Sequence, residues 1–158
     1  VTEAYLDIET SYDGEITVIG IYRGTGELVQ LVGDDVCAER LNRALDGVNT
    51  IYTYNGSRFD LPVIAHQLSV DLARQYDCHD LMYDCWDNGL YGGLKKVETQ
   101  LGIPRETHGV SGRDAMQLWH DCQQGNADAL HTLLLYNSED TINLSILRML
   151  LDLSGGQI

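Results

Sequence analysis

Positive charge is scarce in this sequence, and lysine is almost missing from it. The two lysines are the adjacent pair Lys95-Lys96, and with eight arginines they face 24 acidic residues, for a formal charge of -14. That balance excludes a protein that grips a polyanion with a broad basic face, so any such partner must be met locally. Sixteen Asp against eight Glu with so little Lys is also the balance expected of a chain adapted to salt, where the Debye length falls to ~3 Å at 1 M. Long apolar runs are absent: none approaches the roughly 20 residues a bilayer span needs, and the first residues lack the basic and apolar regions of a secretory signal. Cys37, Cys78, Cys85 and Cys122 show no CxxC spacing, which excludes a dense disulfide framework and points to reduced thiols, mostly buried, in the cytoplasm. No repeat, low-complexity run or linker is visible, so one domain over residues 1–158 is expected.

What is present is enough for a core. At 44% hydrophobic residues, a chain of this length buries roughly 70% of its unfolded surface. Residues 3–8 read as a buried strand, 16–22 as a second joined by a Tyr12-Asp13-Gly14 turn, and 27–32 as a third after Gly24-Thr25-Gly26. Asp34 or Asp35 is placed to cap a helix with Val36, Leu41, Ala44 and Leu45 on its apolar side. Residues 49–54 form a fourth strand which, reached through a helix, runs parallel to a central strand. Helices follow over 61–68, with Pro62 in the first turn, over 94–101, closed by Gly102, over 112–123 and over about 127–151; residues 76–80 read as a short fifth strand.

Three distant stretches carry acids that such a core would not tolerate unaided. Asp7 and Glu9 lie two apart on the first strand and so share a face of the sheet. Asp60 sits at a strand-to-helix junction, and Tyr136 and Asp140 lie one helical turn apart. Like charges 4 Å apart repel by about 4 kcal/mol at an effective dielectric near 20, so such a cluster either takes up protons or holds cations. Its donors are all oxygen, which suits hard cations such as Mg2+ or Mn2+ and not zinc. Two such ions roughly 3.5–4 Å apart would clamp a phosphodiester, and the phenol of Tyr136 would aim the attacking water.

The motifs Asp7-Ile8-Glu9-Thr10, Asn55 to Asp60 and Tyr136-x-x-x-Asp140 resemble the three exonuclease motifs of the DEDDy 3′–5′ exonucleases, in the ribonuclease H-like superfamily. Residues 54–62, 93–103 and 136–140 look most like the YprB-type predicted exonuclease domain. The resemblance implies an α/β ribonuclease H-like fold, a five-stranded mixed sheet in order 3-2-1-4-5 with helices on both faces. It implies a metal-dependent 3′–5′ exonuclease that hydrolyses DNA or RNA to nucleoside monophosphates with two divalent cations, Mg2+ or Mn2+. Asp7, Glu9, Asp60 and Asp140 would be the metal ligands, Glu9 also lying near the 3′ hydroxyl, and Tyr136 would orient the nucleophile. Thr10, Asn55, Phe59, Lys95 and Lys96 complete the candidate set on the substrate side, Phe59 against the terminal base. A non-catalytic nucleic-acid or protein-binding module and a structure-specific endonuclease are the alternatives on the same fold.

Several of these residues also have plainer roles. Asn55-Gly56 is a turn signal, Asp80, which follows a strand as a fourth or supplementary ligand might, can instead cap the next helix, Phe59 can simply pack, and Lys95-Lys96 can be a solvated turn. Cys78, His79, Cys85, His120 and Cys122 lack zinc spacing, and His108 reads as loop because Tyr136 fills the motif position. Trp86 and Trp119 read as core. So acidic a chain is expected to rely on a nucleic-acid 3′ end entering locally, with a further domain or partner protein supplying basic surface. Its start without Met fits a longer natural protein.

Overall fold

The structure is a computed structural model, and it describes residues 3–155. Five strands, β1 (Glu3–Thr10), β2 (Ile16–Arg23), β3 (Leu28–Val32), β4 (Thr50–Thr53) and β5 (Asp77–Asp80), form one sheet in the order β3-β2-β1-β4-β5. The first three are antiparallel neighbours, while β4 and β5 are added parallel to β1, as the crossover through a helix requires. The helices are α1 (Ala38–Ala44), α2 (Asp60–Leu68), α3 (Leu72–Gln75), α4 (Leu81–Asp87), α5 (Leu94–Leu101), α6 (Gly112–Gln123) and α7 (Ala127–Gly155).

Strand alternation divides the core between the two faces of the sheet. Ala4, Leu6 and Ile8 of β1 pack with Leu41, Leu61, Ile64 and Leu72 beneath α1, α2 and α3. Tyr5 packs on the other face with Leu81, Val97, Leu144 and Leu147 of α4, α5 and α7. Asp7 and Glu9 continue the Tyr5 face, so the alternation that buries an aromatic at position 5 aims two carboxylates at α7.

Two local details bring α7 close. Asp7 is paired with Gly20 of β2, and a Cβ at Gly20 would collide with Asn137 Oδ1 and Thr141 Oγ1 of α7. Glycine here serves close approach. Gly20→Val is expected to cost about 1–3 kcal/mol in urea unfolding; unchanged stability would contradict this packing. At the far end of β1 the register with β2 slips between Glu9 and Thr10, a bulge that ends the regular ladder beside the carboxylates.

The structure corrects three expectations. Asp34 and Asp35 cap no helix: Gly33, at φ 58°, turns the chain into a 3-10 turn that consumes both, and α1 begins after Cys37 with no side-chain cap. Trp86 is a surface residue, 36% exposed, because α4 turns it away from the sheet toward Tyr83 and Arg58. The thiols are less buried than expected, only Cys85 being fully so, although all four are free. The single turn of α3 carries too short a pattern to be read from sequence. No helix among the described residues is long and apolar enough to cross a membrane.

Candidate metal centre

The site lies at the carboxyl end of β1. Oxygens of Asp7, Glu9 and Asp140 lie within 4.8 Å of one another, and among the described residues this is the only group of three or more His, Cys, Asp or Glu side chains so arranged. No cysteine or histidine joins it, which leaves the zinc alternative without a cluster. Asp60 approaches from another direction. The β1–β4 ladder ends at Tyr5 and Tyr52, and beyond it the N–H of Ile8 donates to Asp60 Oδ2 at 3.0 Å. Asp60 is thereby fixed to β1 as the first residue of α2, where the helix N-terminus favours negative charge. A cleft of about 220 Å³ is lined by Asp7, Glu9, Thr10, Asn55, Phe59 and Asp60. Larger clefts elsewhere, along α2–α3 and beside the β1–β2 turn, hold no comparable cluster.

These acids are held against their preference. Burial pushes Glu9 up to about 8, with Asp140 adding repulsion. Burial likewise pushes Asp60 up to about 7 against the hydrogen bond from Ile8, and Asp7 rises well above its ordinary value through burial and then Asp140, Glu9 and Asp60. Glu9 Oε1 is buried with no hydrogen-bond partner. An orphaned carboxylate oxygen on an acid clustered with two others is what a hard divalent cation satisfies, so the donor set fits Mg2+ or Mn2+. Tyr136, 2% exposed, has its phenol raised by burial and by Asp140, Glu9 and Asp7, and so stays protonated.

The loop between β4 and α2 is built by Asp80. Its carboxylate caps α4 through the Met82 N–H at 3.1 Å, as its position in the sequence implies. It also accepts from the Asn55 N–H at 2.7 Å, the Ser57 N–H at 3.2 Å and the Ser57 hydroxyl at 2.6 Å. Asn55, at φ 59°, is the turn residue its pairing with Gly56 announces, and its Oδ1 is buried without a partner. Phe59 is 44% exposed at the lip of the cleft, available to a ligand and not packed in the core.

Cations hold α7 in place. Lys95 Nζ lies 3.1 and 3.3 Å from the two oxygens of Asp140 and 4.5 Å from the Tyr136 ring centre. Lys96, one position on, points elsewhere: it is exposed, with its stem over Gly92. Arg105 Nη2 meets Asp140 Oδ1 at 2.6 Å while its Nη1 holds both oxygens of Glu98. Glu139 accepts from the N–H groups of Glu106 and Thr107 and from the Thr107 hydroxyl, which ties the α5–α6 loop to α7. Asn137, fully buried, donates to Asp7 Oδ2 at 3.3 Å and takes Gln30 Nε2 on its own oxygen at 3.0 Å.

The structure therefore gathers Asp7, Glu9, Asp140, Tyr136 and Lys95 in one place, sets Asp60, Thr10, Asn55 and Phe59 around the adjoining cleft, and leaves Lys96 outside. Sequence reasoning missed Arg105, Glu98, Asn137 and the second role of Asp80. Glu98 carried a signal: it lies on the apolar stripe Leu94, Val97, Leu101 of α5, where a lone acid needs a partner.

A parallel-extended sheet with carboxylates converging at the carboxyl end of its central strand defines an oxygen-ligand α/β domain of the ribonuclease H-like type. The chain belongs to the RNase H superfamily: the RNase_H_2 family model matches residues 4–151. Among solved structures it is similar to the family B DNA polymerase from the hyperthermophilic archaeon Pyrobaculum calidifontis, with a TM-score of 0.66 at 17% identity. The match covers 90% of this chain and 24% of that polymerase, so the chain corresponds to about a quarter of the longer protein, and at this identity the likeness is one of fold. No curated protein matches the sequence.

Proposed function

We propose that this chain is a divalent-metal-dependent 3′–5′ exonuclease that hydrolyses the terminal phosphodiester of DNA or RNA and releases a nucleoside monophosphate. The observation that carries the reading is the convergence of carboxylate oxygens of Asp7, Glu9 and Asp140, Glu9 having a buried oxygen with no protein partner. Asp7, Glu9 and Asp140 would hold one ion, and Asp60 with Asp7 a second. Bound there, Mg2+ or Mn2+ would lower the pKa of an attacking water and neutralise charge on the phosphate and leaving oxygen.

The protein's own groups do the rest. Tyr136 offers a neutral phenol beside the carboxylates, able to hydrogen-bond the attacking water without repelling the phosphate. Lys95, 38% exposed, can turn from Asp140 to a phosphate oxygen. Phe59 presents an aromatic face to the terminal base, and Thr10 and Asn55 line the path of the strand. Water attacks phosphorus, the bond to the 3′ oxygen breaks, and the shortened strand keeps a 3′ hydroxyl. We place this domain, over residues 1–158, in the reducing cytoplasm with free thiols, a further domain or partner supplying the basic surface it lacks.

The test is a 5′-labelled single strand incubated with the protein and Mg2+ or Mn2+, alongside a circular strand and one with a blocked 3′ end. A ladder from the open 3′ end alone supports the proposal. Cleavage of the circle would make it an endonuclease, and binding without cleavage a recognition module. Tyr136→Phe is expected to lower kcat by roughly 10²-fold while KM and the melting temperature hold. A loss below about threefold would remove the phenol from the mechanism.

A further inference from the structure

We propose that Arg105, braced by Glu98, is a positioning residue that fixes the orientation of Asp140 and of the Tyr136 ring. No motif of the sequence includes it, and its side chain is 5% exposed. Its Nη1 meets Glu98 Oε1 and Oε2 at 2.9 and 3.0 Å, and its Nη2 meets Asp140 Oδ1 at 2.6 Å. The same Nη2 reaches the Tyr136 carbonyl and the Thr107 hydroxyl at 3.4 Å each, and the guanidinium carbon lies 5.3 Å from the Tyr136 ring centre. Glu98, 1% exposed, is held in turn by Asn143 Nδ2 at 2.5 Å. Residues 136, 140 and 143 lie on one face of α7, so a single guanidinium and its carboxylate register three consecutive turns of that helix against α5.

Stability alone does not account for this arrangement. A buried ion pair is often matched or bettered by apolar side chains of the same volume, because desolvation offsets the attraction. What an apolar replacement cannot supply is a directional donor on Asp140 Oδ1. That oxygen has Arg105 at 2.6 Å and Lys95 at 3.1 Å, whereas Oδ2 has only Lys95, at 3.3 Å, a partner free to leave. Lys95 also touches Asp140, but it is partly exposed and free to move to a substrate; Arg105 is buried, with Nη1 on both oxygens of Glu98, Nη2 on Asp140 and Nε left without a partner. Arg105 therefore competes with a cation for Asp140 while aiming the carboxylate that binds it. Removing it should give tighter metal binding and slower chemistry together, which a merely structural residue would not do.

The kinetic arm rests on the exonuclease reading above; the metal arm does not. The paired variant Glu98→Gln with Arg105→Gln leaves no unpartnered buried charge. Binding of Mn2+ alone is followed by electron paramagnetic resonance, folding by thermal melting in chelator, and kcat and KM on a single strand. The paired variant is expected to bind Mn2+ roughly three- to tenfold more tightly, with kcat lower by about 10²-fold and KM within about threefold. Arg105→Lys keeps the charge without the fork: Mn2+ affinity should return toward that of the unaltered protein, with kcat still at least about tenfold down. If the paired variant fails to fold, Arg105→Lys decides: kcat at least about tenfold down with melting temperature and Mn2+ affinity held supports the proposal, and an unchanged kcat overturns it. Mn2+ affinity unchanged or weakened in the folded paired variant overturns the proposal, as do rates that fall only in step with melting temperature. If the unaltered protein cuts no strand, the exonuclease reading fails and the Mn2+ comparison alone decides the role of Arg105.

Discussion

Asp7→Asn is expected to abolish metal-dependent hydrolysis, by on the order of 10³-fold or more, while making the metal-free protein more stable. The two effects have one cause. Asp7 is half-buried beside Asp140, Glu9 and Asp60; desolvation first, and then those three charges, raise its proton affinity well above the ordinary carboxylate range. An amide is the neutral shape that this environment favours, and it can still accept the hydrogen bond from Asn137. The gain should be on the order of 1–2 kcal/mol, roughly 2–8 °C in melting temperature for a chain of this size. Activity should be lost because the ligand that the two proposed ions would share loses its charge. Paired melting curves and strand-shortening assays check both halves. A variant that is less stable and still active would mean that Asp7 is a structural acid.

A pH dependence of metal-free stability follows from the same strain. Glu9 moves from an ordinary 4.5 to about 8, and Asp60 from 3.8 to about 7, both chiefly through burial. Between about pH 4 and pH 8 the folded state therefore holds protons that the unfolded state has released. Stability then falls as pH rises, being fully present below the unfolded values and lost on passing the folded ones. Millimolar Mg2+ supplies the missing counter-charge and should restore stability by mass action. The difference in melting temperature with and without Mg2+ is thus expected to widen from about pH 5 to about pH 8. A difference independent of pH would show that the ion binds groups other than these carboxylates.

The fold was legible because the strands carried their own pattern, β1 and β2 ending at Gly-containing turns, and the order 3-2-1-4-5 followed from the motif resemblance. What escaped was whatever depended on a turn whose geometry the sequence does not reveal. Asp34 and Asp35 looked like caps because capping needs only a residue type, whereas Gly33 decided where the helix could start. At the candidate site the acids were conspicuous because a buried strand makes Asp7 and Glu9 costly. Arg105 was not, since its meaning comes from Glu98 on one element and Asp140 on another, brought together only by the packing of α5 on α7. Asp80 was legible for the bond it makes two residues along the chain, to Met82, and hidden for those it makes 23 and 25 residues back.

Asp7, Glu9, Asp60 and Asp140 are proposed to hold divalent ions. Anomalous scattering from crystals soaked in Mn2+ tests this directly. One peak bounded by Asp7, Glu9 and Asp140 and a second between Asp7 and Asp60 are expected, with Lys95 displaced from Asp140. Crystals in which millimolar Mn2+ gives no peak there, and Lys95 and Arg105 still hold Asp140, would contradict it.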